Sequence, residues 1–177
     1  MQYRRLSKRL RWRITDYYEN RYQGKMFNEQ VVLSELNPLL RKIVRRFNCR
    51  EILLSIPFFT ETSSQIVDDI LSKLSLVMYL DNDQIIEEGT TGQQMYFIVR
   101  GGVKAISTSL RVSQIITDGC FFGELCLLLS DLRRLASIYA VSYCYLYTLT
   151  VADFNSTLEK FPVKSSRNIY VFFYLLN

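Results

Sequence analysis

The spacing of hydrophobic positions changes once along the chain. Through residue 56 apolar residues recur three and four apart, which predicts helices with one buried stripe each. Leu6, Leu10, Ile14 and Tyr17 mark the first stripe, Val31, Val32 and Leu36 the second, and Leu39, Leu40, Ile43, Val44 and Phe47 the third. Gln23-Gly24 breaks the first helix, Asn28 is placed to cap the second, and Asn37-Pro38 supplies a cap and a first-turn proline for the third. On that third helix Arg41 with Arg45 and Lys42 with Arg46 put like charges four apart, an arrangement that costs a few tenths of a kcal/mol per pair unless an acid or water offsets it.

Pro57 predicts a break, and Thr62-Ser63-Ser64-Gln65 has the form of a capping box opening a helix to Leu74, with Ile66, Ile70 and Leu74 on one face. The period then shortens. Leu76–Leu80, Gln84–Ile86, Met95–Val99, Val103–Ser107, Val112–Ile116, Leu135–Ala140 and Cys144–Leu149 read as short strands separated by turn residues such as Asp81-Asn82-Asp83, Gly92 and Gly101-Gly102. One short helix begins near Gly123. A capped helix runs from Thr150 to Lys160, with Val151, Phe154 and Leu158 inward, and Pro162 allows a last one. The fold class is α+β: helices, then an antiparallel β-roll or barrel flanked by helices, with no internal repeat.

Composition narrows the functions. At 177 residues, 49% hydrophobic and 22% charged, with seven Gly and three Pro, the chain is neither collagen-like nor disordered. Its +5 charge is unevenly spread: 13 basic and 4 acidic residues among the first fifty, 9 and 13 after them. The basic stretch Arg4-Arg5, Lys8-Arg9, Arg11, Arg13 has few interleaved aromatics and no recognition motif, so it reads as a solvated face and not a nucleic-acid site. There is no histidine, and cysteines 49, 120, 126 and 144 match no metal spacing. No zinc site, disulfide framework or general base is expected, which argues against an enzyme and for reduced, buried thiols in a cytosolic setting. The longest apolar run, Ile169–Leu176, has eight residues, far from the ~20 of a spanning helix. Core packing is the expected role of that run.

Chemistry concentrates in Asp118-Gly119-Cys120-Phe121-Phe122-Gly123-Glu124-Leu125-Cys126 and in Arg133-Arg134-Leu135-Ala136-Ser137. A glycine opening a short helix exposes unpaired N–H groups to an anion. Arg134 can add two parallel charge-assisted hydrogen bonds to a phosphate, and Glu124 can accept from a sugar hydroxyl. Adjacent arginines on a strand face opposite ways, so Arg133 is expected in solvent. Gly89 and Gly119 read as turn residues with positive φ.

Phe122-Gly123-Glu124 followed by Arg134 and Ala136-Ser137 resembles the phosphate-binding cassette of cyclic-nucleotide-binding domains. The stretches Asp16-Tyr17-Tyr18-Glu19-Asn20-Arg21-Tyr22-Gln23-Gly24-Lys25-Met26-Phe27 and Leu33-Ser34-Glu35-Leu36-Asn37-Pro38-Leu39 resemble the C-linker of hyperpolarization-activated, cyclic-nucleotide-gated (HCN) cation channels. The resemblance implies a C-linker over 1–56, its first helix truncated at Met1, and a cyclic-nucleotide-binding domain over 57–177. It implies a cytoplasmic gating module at the plasma membrane that takes cAMP or cGMP through Gly123, Glu124, Leu125, Cys126, Arg134 and Leu135, needs no cofactor, and joins a transmembrane pore as a homo- or heterotetramer. Three departures accompany it. Leu135 stands where these channels carry a hydroxyl, one extra residue lies between Leu128 and Arg133, and the final stretch Ile169–Leu176 lacks the basic residues that close over the purine, Leu175 standing near a capping arginine's position. Two alternatives stay open: a ligand-independent assembly module whose pocket is filled by its own C-terminal hydrophobics, and a non-channel cyclic-nucleotide-dependent regulator.

Overall fold

A computed structural model describes residues 6–21, 29–56, 59, 62–109, 111–129 and 132–161. Helices α1 (Lys8–Arg21), α2 (Glu29–Glu35), α3 (Pro38–Asn48), α4 (Arg50–Ser55) and α5 (Ser64–Lys73) come first. Strands β1 (Ser75–Tyr79), β2 (Gln84–Ile86), β3 (Gln94–Arg100), β4 (Gly102–Ser107), β5 (Val112–Thr117) and β6 (Phe121–Phe122) follow. Then come α6 (Leu125–Leu128), β7 (Ser137–Ala140), β8 (Cys144–Thr150) and α7 (Val151–Lys160). No helix among the described residues is long and apolar enough to cross a membrane. The expected Asn28 cap, the Pro57 break and the helix after Pro162 lie outside the described residues.

The strands form two antiparallel sheets, ordered β1-β8-β3-β6 and β2-β7-β4-β5. β3 is buried on both faces. Its alternate residues Tyr96 and Ile98 enter the core between the sheets with Val103, Phe122, Ile138, Cys144 and Leu146, while Met95 and Phe97 face a second core under the helices. That second core gathers Ile52 of α4, Ile66, Val67, Ile70 and Leu71 of α5, Cys126 and Leu127 of α6, and Phe154 of α7. The strand expectations hold to within two residues at each end, and the two-residue β6, paired with β3 at Tyr96↔Phe122 and Phe97↔Phe121, is additional.

The caps of α3 and α7 form as their sequences suggest: Asn37 Oδ1 accepts from Leu40 N–H at 2.9 Å, and Thr150 Oγ1 accepts from Asp153 N–H at 3.0 Å. The capping box at Thr62–Gln65 does not form. Ser63 occupies the cap position of α5 without a side-chain bond, and the buried Thr62 and Ser63 hydroxyls find no partner among the described residues.

The largest correction concerns the N-terminal stripes. Leu39, Leu40, Ile43 and Phe47 are exposed, Phe47 at 64%, and no residue of α3 is buried. Val31, Val32 and Leu10 are exposed too, and Leu36 is half-buried. Lys42 and Arg46 of α3 both pair with Asp68 of α5, so the contact α3 makes with α5 runs through its charged residues and leaves its apolar face exposed. Asp68 is the acid that relieves the like-charge stacking, and Arg41 donates to the carbonyls of Leu33, Ser34 and Leu36, satisfying the end of α2.

Candidate functional site

β6 ends at Phe122 and the chain turns into α6 through Gly123, whose φ of +76° is costly for any residue with a Cβ. Leu127 N–H returns to the carbonyl of Glu124 at 2.9 Å and Leu129 N–H to that of Leu125 at 3.0 Å. The first-turn N–H groups of this helix have no acceptor within it.

Arg134 arrives from the other side. Its backbone is pinned to the turn after β2, with Arg134 N–H on Thr90 O and Gly89 N–H on Arg134 O, both at 2.8 Å, beside a bridge between Thr91 and Arg133. Its guanidinium donates to Gly123 O at 2.8 Å and to Gln94 O at 2.6 Å. Two glycines make room for it. A Cβ on Gly123 would lie 2.7 Å from Arg134 Nη1, and one on Gly92 would lie 2.7 Å from Arg134 Cζ and 2.8 Å from Cys126 Cβ.

The result is a cavity of about 130 Å³ lined by Ile86, Gly123 to Cys126, Leu132 to Ala136 and Ile138. Arg134 is half-buried there, and none of the ion pairs among the described residues includes it. Two backbone carbonyls hold the cation in place. Burial pushes the Cys126 thiol up against the opposing pull of Arg134, so it stays a neutral wall, its Sγ donating to Gly123 O at 3.1 Å. A half-buried guanidinium without a carboxylate attracts an anion, and the cavity gives that anion one polar end and an apolar wall.

All six sequence-selected residues, Gly123, Glu124, Leu125, Cys126, Arg134 and Leu135, line this one cavity. Leu135 sits at its rim, 52% exposed, with its carbonyl accepting from Ser107 Oγ at 2.7 Å. Arg133 is exposed as expected, yet it is not left to water: Nη1 donates to Gly89 O at 2.7 Å. Gly89 and Gly119 have φ of +81° and +80°. Of the cysteines, 49, 126 and 144 are buried but Cys120 is exposed, because it lies in the turn between β5 and β6. Sequence reasoning missed Gly92 and Gln94. Gly92 was visible as a strand separator, but its closeness to Arg134 depends on how the β2–β3 turn folds over the cassette.

Residues 76–161 match the family model described as the cyclic nucleotide-binding domain. The rat potassium/sodium hyperpolarization-activated cyclic nucleotide-gated channel 1 is 44% identical over 163 residues, 92% of this chain and 18% of that channel. The human potassium/sodium hyperpolarization-activated cyclic nucleotide-gated channel 4 is 43% identical over 92% of this chain and 13% of its own length. The chain thus spans less than a fifth of the curated relatives it matches.

Proposed function

We propose that this chain, which belongs to the cyclic nucleotide-binding domain family through residues 76–161, is the cyclic-nucleotide-sensing gating module of an HCN-like channel. The observation that carries the reading is the Arg134 guanidinium, seated between Gly92 and Gly123 with carbonyls for company and no carboxylate among the described residues. The cyclic phosphate of cAMP or cGMP supplies the missing charge. It takes Arg134 and the N–H groups after Gly123, Glu124 accepts from the ribose, and Leu125, Cys126 and Leu135 bound the site. The role is binding and not catalysis.

Transmission follows from packing. Cys126 lines the cavity and, with Leu127, also belongs to the core that holds Phe154 of α7, Ile70 of α5 and Ile52 of α4. A ligand that prefers one seating of α6 therefore biases those helices, by no more than its difference in affinity for the two seatings. Asp68 carries the bias from α5 to Lys42 and Arg46 of α3. In this reading residues 1–56 are the linker to a transmembrane pore, residues 57–177 are the binding domain, and the exposed face Leu39, Leu40, Ile43 and Phe47 packs against neighbouring copies in a tetramer at the cytoplasmic side of the membrane.

Calorimetry with cAMP and cGMP on the folded chain, beside sedimentation, tests this. Saturable heat that is lost in Arg134→Gln supports it. No heat at millimolar nucleotide from a folded tetramer would leave only the ligand-independent assembly module.

A further inference from the structure

The basic stretch that leads into α1 lies outside the nucleotide cavity and contains a second pattern: Arg4-Arg5-Leu6-Ser7. Two guanidinium groups three and two residues ahead of a serine suit a basophilic protein kinase, whose substrate groove presents carboxylates to that side of the acceptor. The other tandem pair, Arg133-Arg134, precedes Ser137 but is built into the nucleotide cavity. Arg134 is bonded inside it, and Ser137 Oγ accepts from Glu88 N–H at 3.0 Å within the fold. Ser7, in contrast, is exposed.

We propose that Ser7 is phosphorylated by a basophilic serine/threonine kinase and that the phosphate strengthens α1. Ser7 Oγ attacks the γ-phosphorus of ATP, the Oγ–P bond forms as the bond to the bridging β–γ oxygen breaks, ADP leaves, and the hydroxyl proton passes to the kinase's catalytic carboxylate. Ser7 Oγ already accepts from Leu10 N–H at 3.2 Å, so the modified atom lies at the N-terminus of a 14-residue helix.

That terminus is electrostatically wrong as it stands. The first turn of α1 holds no acid, and Lys8, Arg9 and Arg11 crowd the positive end of the helix dipole. Arg11 lies one turn past Ser7 on the same face of the helix, and its Nε is buried with no acceptor among the described residues. A phosphate of roughly −1.5 to −2 charge answers both needs, opposing the local positive charge and giving Arg11 an acceptor. The consequence reaches the β-roll, because α1 docks there through Arg13 to Asp83, Tyr143 Oη to Asp16 and Tyr145 Oη to the Asn20 carbonyl. This does not depend on the nucleotide reading.

The test incubates the folded full chain with ATP and either a basophilic or an acidophilic kinase, mapping phosphate by tandem mass spectrometry. Expected are one phosphoryl group on Ser7 from the basophilic enzyme, none there in Ser7→Ala, and a rate lowered roughly tenfold in the Arg4→Gln/Arg5→Gln double variant, which keeps the Ser7 hydroxyl. Amide hydrogen exchange in α1 should slow roughly fivefold on phosphorylation, and less in Arg11→Gln. Modification elsewhere with Ser7 untouched, or an unchanged rate in the double variant, overturns the site. Unchanged or faster exchange in α1 overturns the strengthening.

Discussion

Arg134 Nη2 lies 2.6 Å from the carbonyl oxygen of Gln94, a residue forty positions earlier on β3. With the Gly123 carbonyl on Nη1, this bond fixes the guanidinium before any ligand arrives. An anion then meets a charge whose side-chain entropy is already spent.

Arg134→Gln is therefore expected to weaken binding of cAMP and cGMP by about 2–3 kcal/mol, roughly 30- to 150-fold, through loss of charge-assisted hydrogen bonds. Thermal unfolding should move little, since glutamine can still donate to one of the two carbonyls. Calorimetry and calorimetric unfolding on the same sample separate the two effects.

Gly92→Ala places a Cβ against Arg134 Cζ, Arg134 Nε and Cys126 Cβ, all within 2.8 Å. The guanidinium must shift, at a cost in stability of about 1–3 kcal/mol. Nucleotide affinity should fall as well. At Gly89, where a Cβ meets nothing within 4 Å, alanine should strain the turn through its φ of +81° and leave affinity unchanged. Equal affinity losses at the two glycines would contradict the packing argument.

The roll was legible because the short apolar runs of β3, β4 and β8 and the turn residues between strands are local signals, and so was the cassette, whose residues lie close in sequence. The orientation of α3 was not. Its stripe of Leu39, Leu40, Ile43 and Phe47 is a strong local signal for burial, yet these residues are exposed, and Asp68, which pairs with the charged residues of α3, lies twenty-two positions beyond Arg46 on α5. Gly92 and Gln94 were hidden for a related reason. What they contribute is space and a backbone carbonyl, and neither property is written in a side chain.

Two carboxylates contribute strongly to the acid response. At Asp69, burial alone would raise the pKa, but hydrogen bonds from Lys160, Lys73 and Thr157 outweigh it and bring it from 3.8 to about 2. Hydrogen bonds from Thr108 and Ser109 bring Glu88 from 4.5 to about 2. Both folded values are depressed, so the stabilisation is present above about pH 4.5 and is lost as pH falls toward 2. Urea midpoints should be flat in this respect from pH 7 to 5 and drop below. Asp69→Asn and Glu88→Gln should each start lower and show a shallower acid limb; parallel curves would exclude these two groups as the cause.

Leu135 offers a gain-of-binding test. Its side chain is 52% exposed at the cavity rim, and the Ser107 Oγ bond to its carbonyl holds the segment in place, so a smaller polar residue should cost less than about 0.5 kcal/mol of stability. Leu135→Thr adds a hydroxyl next to Arg134, where a cyclic phosphate would lie. One further hydrogen bond is worth about 1 kcal/mol, so affinity for cAMP or cGMP should rise roughly fivefold. Leu135→Val removes a similar apolar volume without adding a donor and should show no gain. If valine and threonine bind alike, the hydroxyl is not the missing contact; if threonine alone gains, the phosphate sits against residue 135 as well as Arg134.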